Sequence, residues 1–419
     1  MAVSASPSRQ TAVAPVCALL LLSAATIPRV HPSSVFWTAP SILLASLLIA
    51  WAAESAQFFV AQGVALAILA WLQTLPEFAV EAVLAWTRQV PLLLANLTGA
   101  LRLLTGLGWP MIYATAAWFH RARHKRPLGR IVLADEQCVE VVGLLAALAY
   151  LPIVWWNASL GLIDAAVLIA VYLAYLAVLQ RMPAAGEDQI DELERVPRAI
   201  VTSRPAVRNT AIAALFVTGG ALIYFMAKPF LASLLAVSAS LGITNFVFVQ
   251  WVAPFVSEFP EKVSAFYWAR TVERASMALM NMVSSNINQW TLLAAMLPII
   301  YSLSRGAPSS IPLDGQQERE LLMTLGQSLL GALFLAGMRL AWWEAAGLFA
   351  LWLAQFAFSP VPPGAGLAGF LAGHVHQAVT AIYFVWAGLE IARLLAGKRP
   401  PRAFQLFGAM WSRHVRPVR

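Results

Sequence analysis

Long apolar stretches recur along the whole chain of 419 residues, and they constrain its fold more than any other feature. A helix of about 17 to 25 apolar residues matches the hydrocarbon thickness of a lipid bilayer. Only 11% of the residues are charged, whereas a typical soluble domain has about a quarter. The sequence therefore excludes a soluble enzyme and predicts an all-α polytopic membrane protein, with the lipid bilayer as its surroundings.

The apolar stretches, divided at charged residues and at Pro/Gly clusters, predict about twelve transmembrane helices. They centre on 10–28, 36–55, 58–87, 91–119, 139–156, 159–180, 208–227, 232–268, 272–303, 319–338, 342–358 and 370–395. The third, fourth, eighth and ninth are too long for one simple helix, so we expect interruptions within them. The first is expected to be an uncleaved span, with a signal peptide as the alternative.

Basic residues set the expected orientation, because Lys and Arg near span ends are retained on the cytoplasmic side. The segment 120–130 (HRARHKRPLGR), the loop with Arg195 and Arg208, and the basic tail all fall on one side if twelve helices cross the bilayer. Both termini are then cytoplasmic. We expect an integral, multi-pass protein of the bacterial inner (plasma) membrane, and these basic blocks do not indicate a nucleic-acid site.

Two similar segments lie on either side of the polar stretch 181–207. WLQTLPEFAVEAVLAWTRQ (71–89) aligns with FVSEFPEKVSAFYWAR (255–270), and about twenty residues later ANLTGALRLLTGLGWP (95–110) aligns with MNMVSSNINQWTLLAAMLP (280–298). Five spans per copy is an odd number, so the second copy should be inverted relative to the first. The expected organisation is an extra N-terminal helix (1–35), a first repeat (36–180), a cytoplasmic linker (181–207), a second repeat (208–358), and an extra helix with a basic tail (359–419).

Carboxylates in the middle of these apolar segments indicate a cation site. A charged side chain at the centre of a transmembrane helix costs about 2.5–3.5 kcal/mol by insertion measurements, so it needs a compensating role. Glu77 and Glu261 each follow a proline, which removes an N–H and leaves carbonyl oxygens available one turn earlier. Broken helices of inverted repeats place ion sites near the bilayer midplane.

Calcium prefers six to eight oxygen ligands, and this set of side chains supplies many of them. We expect Glu77 and Glu261 as direct metal ligands, with Glu258 as a further ligand or proton carrier because it shares a helical face with Glu261. The neutral candidate ligands near these acids are Thr74, Ser257, Ser285, Asn288 and Gln289.

The paired segments resemble the two alpha repeats of the cation/calcium exchanger superfamily, the membrane region of sodium/calcium exchangers. Its pattern is G-T-S-x-P-E followed by G-S-N-I-x-N/D on the next helix. LQTLPE (72–77) and VSEFPE (256–261) match the first element, and VSSNINQ (283–289) matches the second. The resemblance implies two inverted five-helix repeats whose glutamates bind calcium and, alternately, sodium or protons.

The first repeat departs from this pattern. The expected G-S-N is Gly99-Ala100-Leu101, and Leu104 stands where a polar residue is expected. Arg102 adds a positive charge; it either pairs with a site glutamate or has a structural role, bonding carbonyls or extending to the surface. Asn96 and Asn281, at equivalent positions, are expected to close helix contacts or cap broken backbone.

The predicted function is secondary active cation antiport, exchanging Ca²⁺ or another divalent cation for Na⁺ or H⁺ by alternating access. A proton-coupled exchanger of monovalent cations and a non-transporting scaffold or sensor are the alternatives. No enzyme motif is present and no resident cofactor is expected, since the inorganic cations are substrates. Glu81 is expected at the interface or against a neighbouring helix, and Glu344 and Glu390 near span ends.

Overall fold

Helices make up most of the computed structural model, which describes residues 31–56, 74–182, 195–364 and 366–415. The predicted first span (10–28) and the first part of the third (58–73) lie outside these residues. Six described helical segments are long and apolar enough to cross a membrane. They are Pro32–Ala56, Val90–His124, Asp135–Trp156, Leu162–Leu179, Pro205–Leu241 and Leu367–Leu395.

The described part of the first half contains six α-helices and two short strands. In chain order they are α1 (Val35–Ala56), α2 (Leu75–Trp86), α3 (Val90–Leu103), α4 (Trp109–His124), β1 (Arg130–Val132), α5 (Cys138–Trp156), β2 (Ser159–Leu160) and α6 (Leu162–Leu179). A five-residue π-helical turn, Leu104–Gly108, joins α3 to α4.

The rest of the described chain repeats this order and adds a C-terminal extension. Its elements are α7 (Arg195–Val201), α8 (Pro205–Leu241), α9 (Asn245–Ser257), α10 (Phe259–Arg270), α11 (Ala275–Asn288), α12 (Ala294–Arg305), β3 (Ile311–Pro312), α13 (Gly315–Leu335), β4 (Arg339–Ala341), α14 (Trp342–Phe358), α15 (Leu367–Leu395) and α16 (Arg402–Met410). A second π-helical turn, Gln289–Leu293, joins α11 to α12, and a third, Trp411–Val415, follows α16.

Two antiparallel strand pairs connect the halves crosswise. β1 pairs with β4, and β2 pairs with β3, so each pair takes one strand from each half. β1 precedes the 19-residue helix α5 and β2 follows it, which places the two pairs about 28 Å apart at opposite ends of that helix. The all-α prediction missed these strands, because segments of two or three residues are too short to show an alternating pattern.

Both long spans 91–119 and 272–303 are interrupted, as predicted, and the interruptions occupy equivalent places. The π turns begin at Leu104 and Gln289, which are separated by the same interval as Asn96 and Asn281. A π turn inserts one residue into a helix and often marks a functional position. The backbone therefore keeps the repeat even where the side chains differ.

The packing of the helices brings the two Pro-Glu segments into the protein interior. α8 lies along α1, α9 packs against α3, and α13 packs against α15. α2 contacts α12 and α8, while α10 contacts α11 and α4. Each Pro-Glu helix is thus enclosed by helices of both halves, so its polar side chains face protein as well as lipid.

Candidate cation site

The two short helices α2 and α10 begin with the same local sequence, an apolar residue followed by Pro and Glu. Proline is tolerated at a helix start because the N–H it lacks would have no partner in the helix. Glu77 and Glu261 consequently lie in first turns, near the positive end of each helix dipole. In the second half α9 ends at Ser257 and α10 begins at Phe259, with Glu258 at the junction. This confirms the broken helix predicted there.

Gln289 joins carboxylates from the two halves. Its Nε2 donates to Oε2 of Glu77 and to Oε1 of Glu258, both at 2.8 Å. Glu77 and Glu258 are only 3% and 4% exposed. Because Gln289 is the first residue of the second π turn, the local backbone irregularity positions the bridging amide.

Lys262 is a member of this site that the sequence reasoning missed. Its Nζ lies 2.5 Å from Oε2 of Glu258, one helical turn away, and both side chains are buried. A lysine at this depth is as costly as a carboxylate, and it directly follows Glu261, so the same criterion applied to basic residues would have found it.

Glu261 is held by the following helix. Ser285 Oγ donates to its Oε1 at 2.5 Å, and Asn281 Nδ2 lies 3.5 Å from the same oxygen. The predicted proximity of Ser285 to Glu261 is therefore present. Asn281 closes a contact between α10 and α11, in agreement with its expected structural role.

The polar side chains of the first half form different hydrogen bonds from those of the second half. Asn96 Nδ2 donates to Oε1 of Glu81 at 3.2 Å, between α3 and α2. Glu81 is fully buried, so it contacts a neighbouring helix, one of the two positions expected for it. Asn288 Nδ2 donates to Thr74 Oγ1 at 2.9 Å, which links the halves a second time.

Two predicted site residues form no described hydrogen bond or ion pair with this group and use other partners. Ser257 Oγ donates to the carbonyl oxygen of Ala253 in its own helix at 3.1 Å. Arg102 forms an ion pair with Glu320 at 2.6 Å. Of the two roles left open for Arg102, the described contacts show the structural one, because its ion-pair partner is Glu320 and not a site glutamate.

The surroundings of Arg102 explain this outcome. Its Nε donates to the carbonyl oxygen of Thr98 at 3.1 Å, and its guanidinium stands 5.2 Å from the ring centroid of Trp251. Gln250 Nε2 donates to Glu320 at 2.9 Å, and His376 Nδ1 lies 3.6 Å from the same carboxylate. Arg102 therefore belongs to a second buried polar cluster, between α3, α9, α13 and α15.

The described residues contain no group of three or more His, Cys, Asp or Glu side chains arranged as a metal site. In this conformation the amide of Gln289 donates hydrogen bonds to Glu77 and Glu258, and the ammonium of Lys262 binds Glu258. These carboxylate oxygens are therefore already bonded within the protein. Oε1 of Glu77 and Oε1 of Gln289 are buried and have no hydrogen-bond partner among the described atoms. Glu77 lies within electrostatic range of Glu81, Glu258, Glu261 and Lys262. The arrangement concentrates carboxylates from both halves, which suits binding of a small cation in place of the internal donors.

Known proteins resemble this chain in sequence and in fold. The family profile described as sodium/calcium exchanger protein matches residues 33–180 and 211–360, well over half of the chain. None of the curated proteins matches the chain.

Solved structures show the same fold. A crystal structure of the H⁺/Ca²⁺ exchanger CAX is 29% identical, with a TM-score of 0.84, and the match covers 96% of this chain and 97% of that one. The sodium-calcium exchanger NCX_Mj, soaked with Na⁺ and Sr²⁺, is 19% identical with a TM-score of 0.52, covering 78% of this chain and 97% of that one. Native YfkE is 13% identical with a TM-score of 0.54, covering 90% and 98%. The chain is an integral membrane protein and belongs to the sodium/calcium exchanger family, which is a family of transporters and not of enzymes.

Proposed function

We propose that this protein is a secondary active antiporter that exchanges Ca²⁺, or another divalent cation, for H⁺ by alternating access around Glu77 and Glu261, with Na⁺ as the other candidate counter-ion. The observation that carries the proposal is the bridge from Gln289 to Glu77 and Glu258, since it brings buried carboxylates of both halves to one point. The similarity to an H⁺/Ca²⁺ exchanger over nearly the full chain supports the choice of proton.

The proposed topology is two inverted five-helix repeats, 36–180 and 208–358, joined by a linker at 181–207, with one extra helix at each end and about twelve spans in all. The crosswise strand pairs support the inversion, because each end of the helix bundle has one strand from each half. Both termini are cytoplasmic in this proposal, and the membrane is the bacterial inner membrane.

The charges around the site favour one divalent cation per cycle. The ammonium of Lys262 neutralises Glu258 at 2.5 Å, whereas Glu77 and Glu261, the carboxylates of the two Pro-Glu segments, form no ion pair among the described residues. An uncompensated charge is very costly in an apolar interior, so a cation or protons must balance these two groups. One Ca²⁺ or two H⁺ balance the same negative charge on these two groups. Competition between Ca²⁺ and H⁺ for the site therefore couples the Ca²⁺ flux to the proton flux.

Binding of Ca²⁺ requires more oxygen ligands than two carboxylates offer. Rotation of the Gln289 amide presents its unpartnered Oε1 to the space between Glu77 and Glu258 and removes the competing donor. Ser285 contributes its hydroxyl beside Glu261. Thr74, Ser257 and Asn288 are the proposed outer oxygen donors, and Asn96, Asn281 and Arg102 shape the site indirectly.

Radiolabelled Ca²⁺ uptake into proteoliposomes tests the function. The purified protein is given an outward proton gradient, an outward sodium gradient or neither, and Glu261→Gln serves as the site variant. Uptake that needs the proton gradient and disappears in Glu261→Gln supports the proposal. The exposed Glu273→Gln is the matched control, because its carboxylate lies 3.8 Å from Arg123 on the surface. No uptake under either gradient by folded protein would contradict it.

Proton-coupled exchange of a monovalent cation is the second candidate. It is favoured by Leu104, which occupies the position equivalent to Gln289, and by Lys262, which uses one carboxylate of the site. The discriminating result is a flux of ²²Na⁺ or ⁸⁶Rb⁺ that follows the pH gradient and is unaffected by external Ca²⁺. Absence of any ion flux would favour the scaffold or sensor alternative.

A further inference from the structure

A basic pocket lies at the strand pair β1–β4, away from the cation site. In the antiparallel register Val132 is opposite Arg339 and Arg130 is opposite Ala341. Alternate residues of a strand share a face, so Arg130, Val132 and Arg339 lie on one side of this pair. Ile131 and Leu340 are buried on the other side, against the protein core.

The chain beyond α15 returns to cover this face. The N–H of Ala403 donates to the carbonyl oxygen of Ala336 at 3.0 Å, and Ala403 is fully buried. Arg399 binds Glu344 at 2.8 Å and Glu390 at 2.7 Å. Glu344 and Glu390, expected near span ends, are thus buried partners of a tail arginine. The segment around Arg399 forms a fixed wall of the pocket.

The resulting cavity has a volume of about 240 Å³. It is lined by Arg130, Val132, Gly337, Met338, Arg339, Arg399, Pro400 and Arg402. A water molecule occupies about 30 Å³ in the liquid, so the cavity holds a group of several heavy atoms. Four of its eight lining residues are arginines, which determines the kind of ligand that it can accept.

The carboxylates near this pocket compensate only part of its charge. Arg402 pairs with Asp135 at 3.3 Å, and Arg399 is held by its two glutamates. Among the described residues Arg130 and Arg339 have no carboxylate within 4.0 Å. Arg399 is only 7% exposed, and its Nε is buried without a hydrogen-bond partner among the described atoms. The lining arginines Arg130 and Arg339 therefore bring positive charge to the pocket without an ion-pair partner among the described residues.

We propose that this pocket binds the phosphate group of an anionic ligand. The planar guanidinium matches phosphate oxygens with paired hydrogen bonds, so several converging arginines favour phosphate over simple halide ions. The two sources of such a group are a phospholipid headgroup and free phosphate. β1 lies at the end of the basic segment 120–130 and shortly precedes the segment Asp135–Trp156, which is long and apolar enough to cross a membrane. This places the pocket at the bilayer edge, where basic pockets bind anionic headgroups.

The test compares wild type with the double variant Arg130→Gln/Arg339→Gln. Both positions are outside the cation site, so Ca²⁺ uptake in neutral-lipid vesicles should be unchanged and reports correct folding. Arg121→Gln is the matched control, because Arg121 is exposed in the same basic segment but does not line the pocket. The two single variants replace the double variant if it does not fold.

Two probes distinguish the sources of phosphate. Native mass spectrometry measures phosphatidylglycerol that stays bound after extraction from mixed phosphatidylglycerol/phosphatidylcholine nanodiscs, and thermal unfolding in detergent measures stabilisation by inorganic phosphate. We expect at least a 10-fold loss of bound phosphatidylglycerol in the double variant and no loss in Arg121→Gln. Stabilisation by inorganic phosphate alone, lost in the double variant, supports the pocket with free phosphate as its ligand. Equal lipid retention and equal phosphate response in all proteins would overturn the proposal.

Discussion

The two Pro-Glu segments share a backbone but not their partners. α2 and α10 both have 12 residues and begin with an apolar residue, Pro and Glu, and a π turn ends the helix that follows each of them at the equivalent position. Glu261 is bound by Ser285 of its own half, whereas Glu77 is bound by Gln289 of the other half.

This difference shows that the duplicated backbone has been kept while the chemistry has become unequal. Leu104 occupies the place of Gln289, and Arg102 occupies the place of Ile287, when the halves are aligned on Asn96 and Asn281. The second half therefore supplies the amide that bridges glutamates of both halves. In the first half Arg102 forms an ion pair with Glu320.

The largest effect is expected for Arg102→Ile, which gives the first half the residue found in the second. Glu320 would remain buried without its ion-pair partner, a change that costs about 3–5 kcal/mol in the free energy of unfolding. Thermal unfolding in detergent measures it. Arg102→Ile combined with Glu320→Gln should recover most of the loss. Unchanged stability of the single variant would show that the pair contributes nothing.

Glu77→Gln and Glu261→Gln should each reduce Ca²⁺ uptake by about 100-fold or more, corresponding to about 2.7 kcal/mol. Each change removes one of the two carboxylate charges that we propose to bind the cation, although the shape of the side chain is kept. Expression and elution profile should match wild type. If only one of the two variants loses transport, the two glutamates have unequal roles, in line with their unequal partners.

Lys262→Met should change the coupling ratio more than the rate. It leaves Glu258 without its ammonium partner, so the site needs about one more monovalent charge per cycle. Reversal-potential measurements of Ca²⁺ flux at fixed pH gradients report this ratio. Lys262→Arg keeps the charge and should keep the wild-type ratio. An unchanged ratio in Lys262→Met would mean that Glu258 stays neutral without the lysine.

The smallest difference is expected between Asn96→Ala and Asn281→Ala. The first removes a 3.2 Å hydrogen bond and leaves buried Glu81 without that donor, which costs about 1 kcal/mol in the free energy of unfolding. The second removes only a 3.5 Å contact, and Ser285 still binds Glu261, so its cost should be lower. Parallel thermal-unfolding curves compare them. A larger loss for Asn281→Ala would reverse the assigned importance of the two amides.

Much of the fold could be predicted because membrane insertion depends on local properties. The length of the apolar stretches and the basic residues beside them indicate the helices. Pro76-Glu77 and Pro260-Glu261 indicate where helices restart, because the energetic cost of a proline or a buried carboxylate falls on the segment that contains it. The predicted breaks at α9–α10 and within 91–119 and 272–303 are present. The strands were missed because their pairing has no pattern within two or three residues.

A helical membrane protein with two related halves and glutamates in apolar segments could be inferred from the amino-acid sequence, because the bilayer acts on each segment separately. Which polar groups meet depends on how the helices pack. Gln289 reaches Glu77 across 212 positions and Arg102 pairs with Glu320 rather than with a site glutamate, since both contacts depend on which helix faces pack together. A buried charge must find a partner, but the partner is selected by the packing of distant helices.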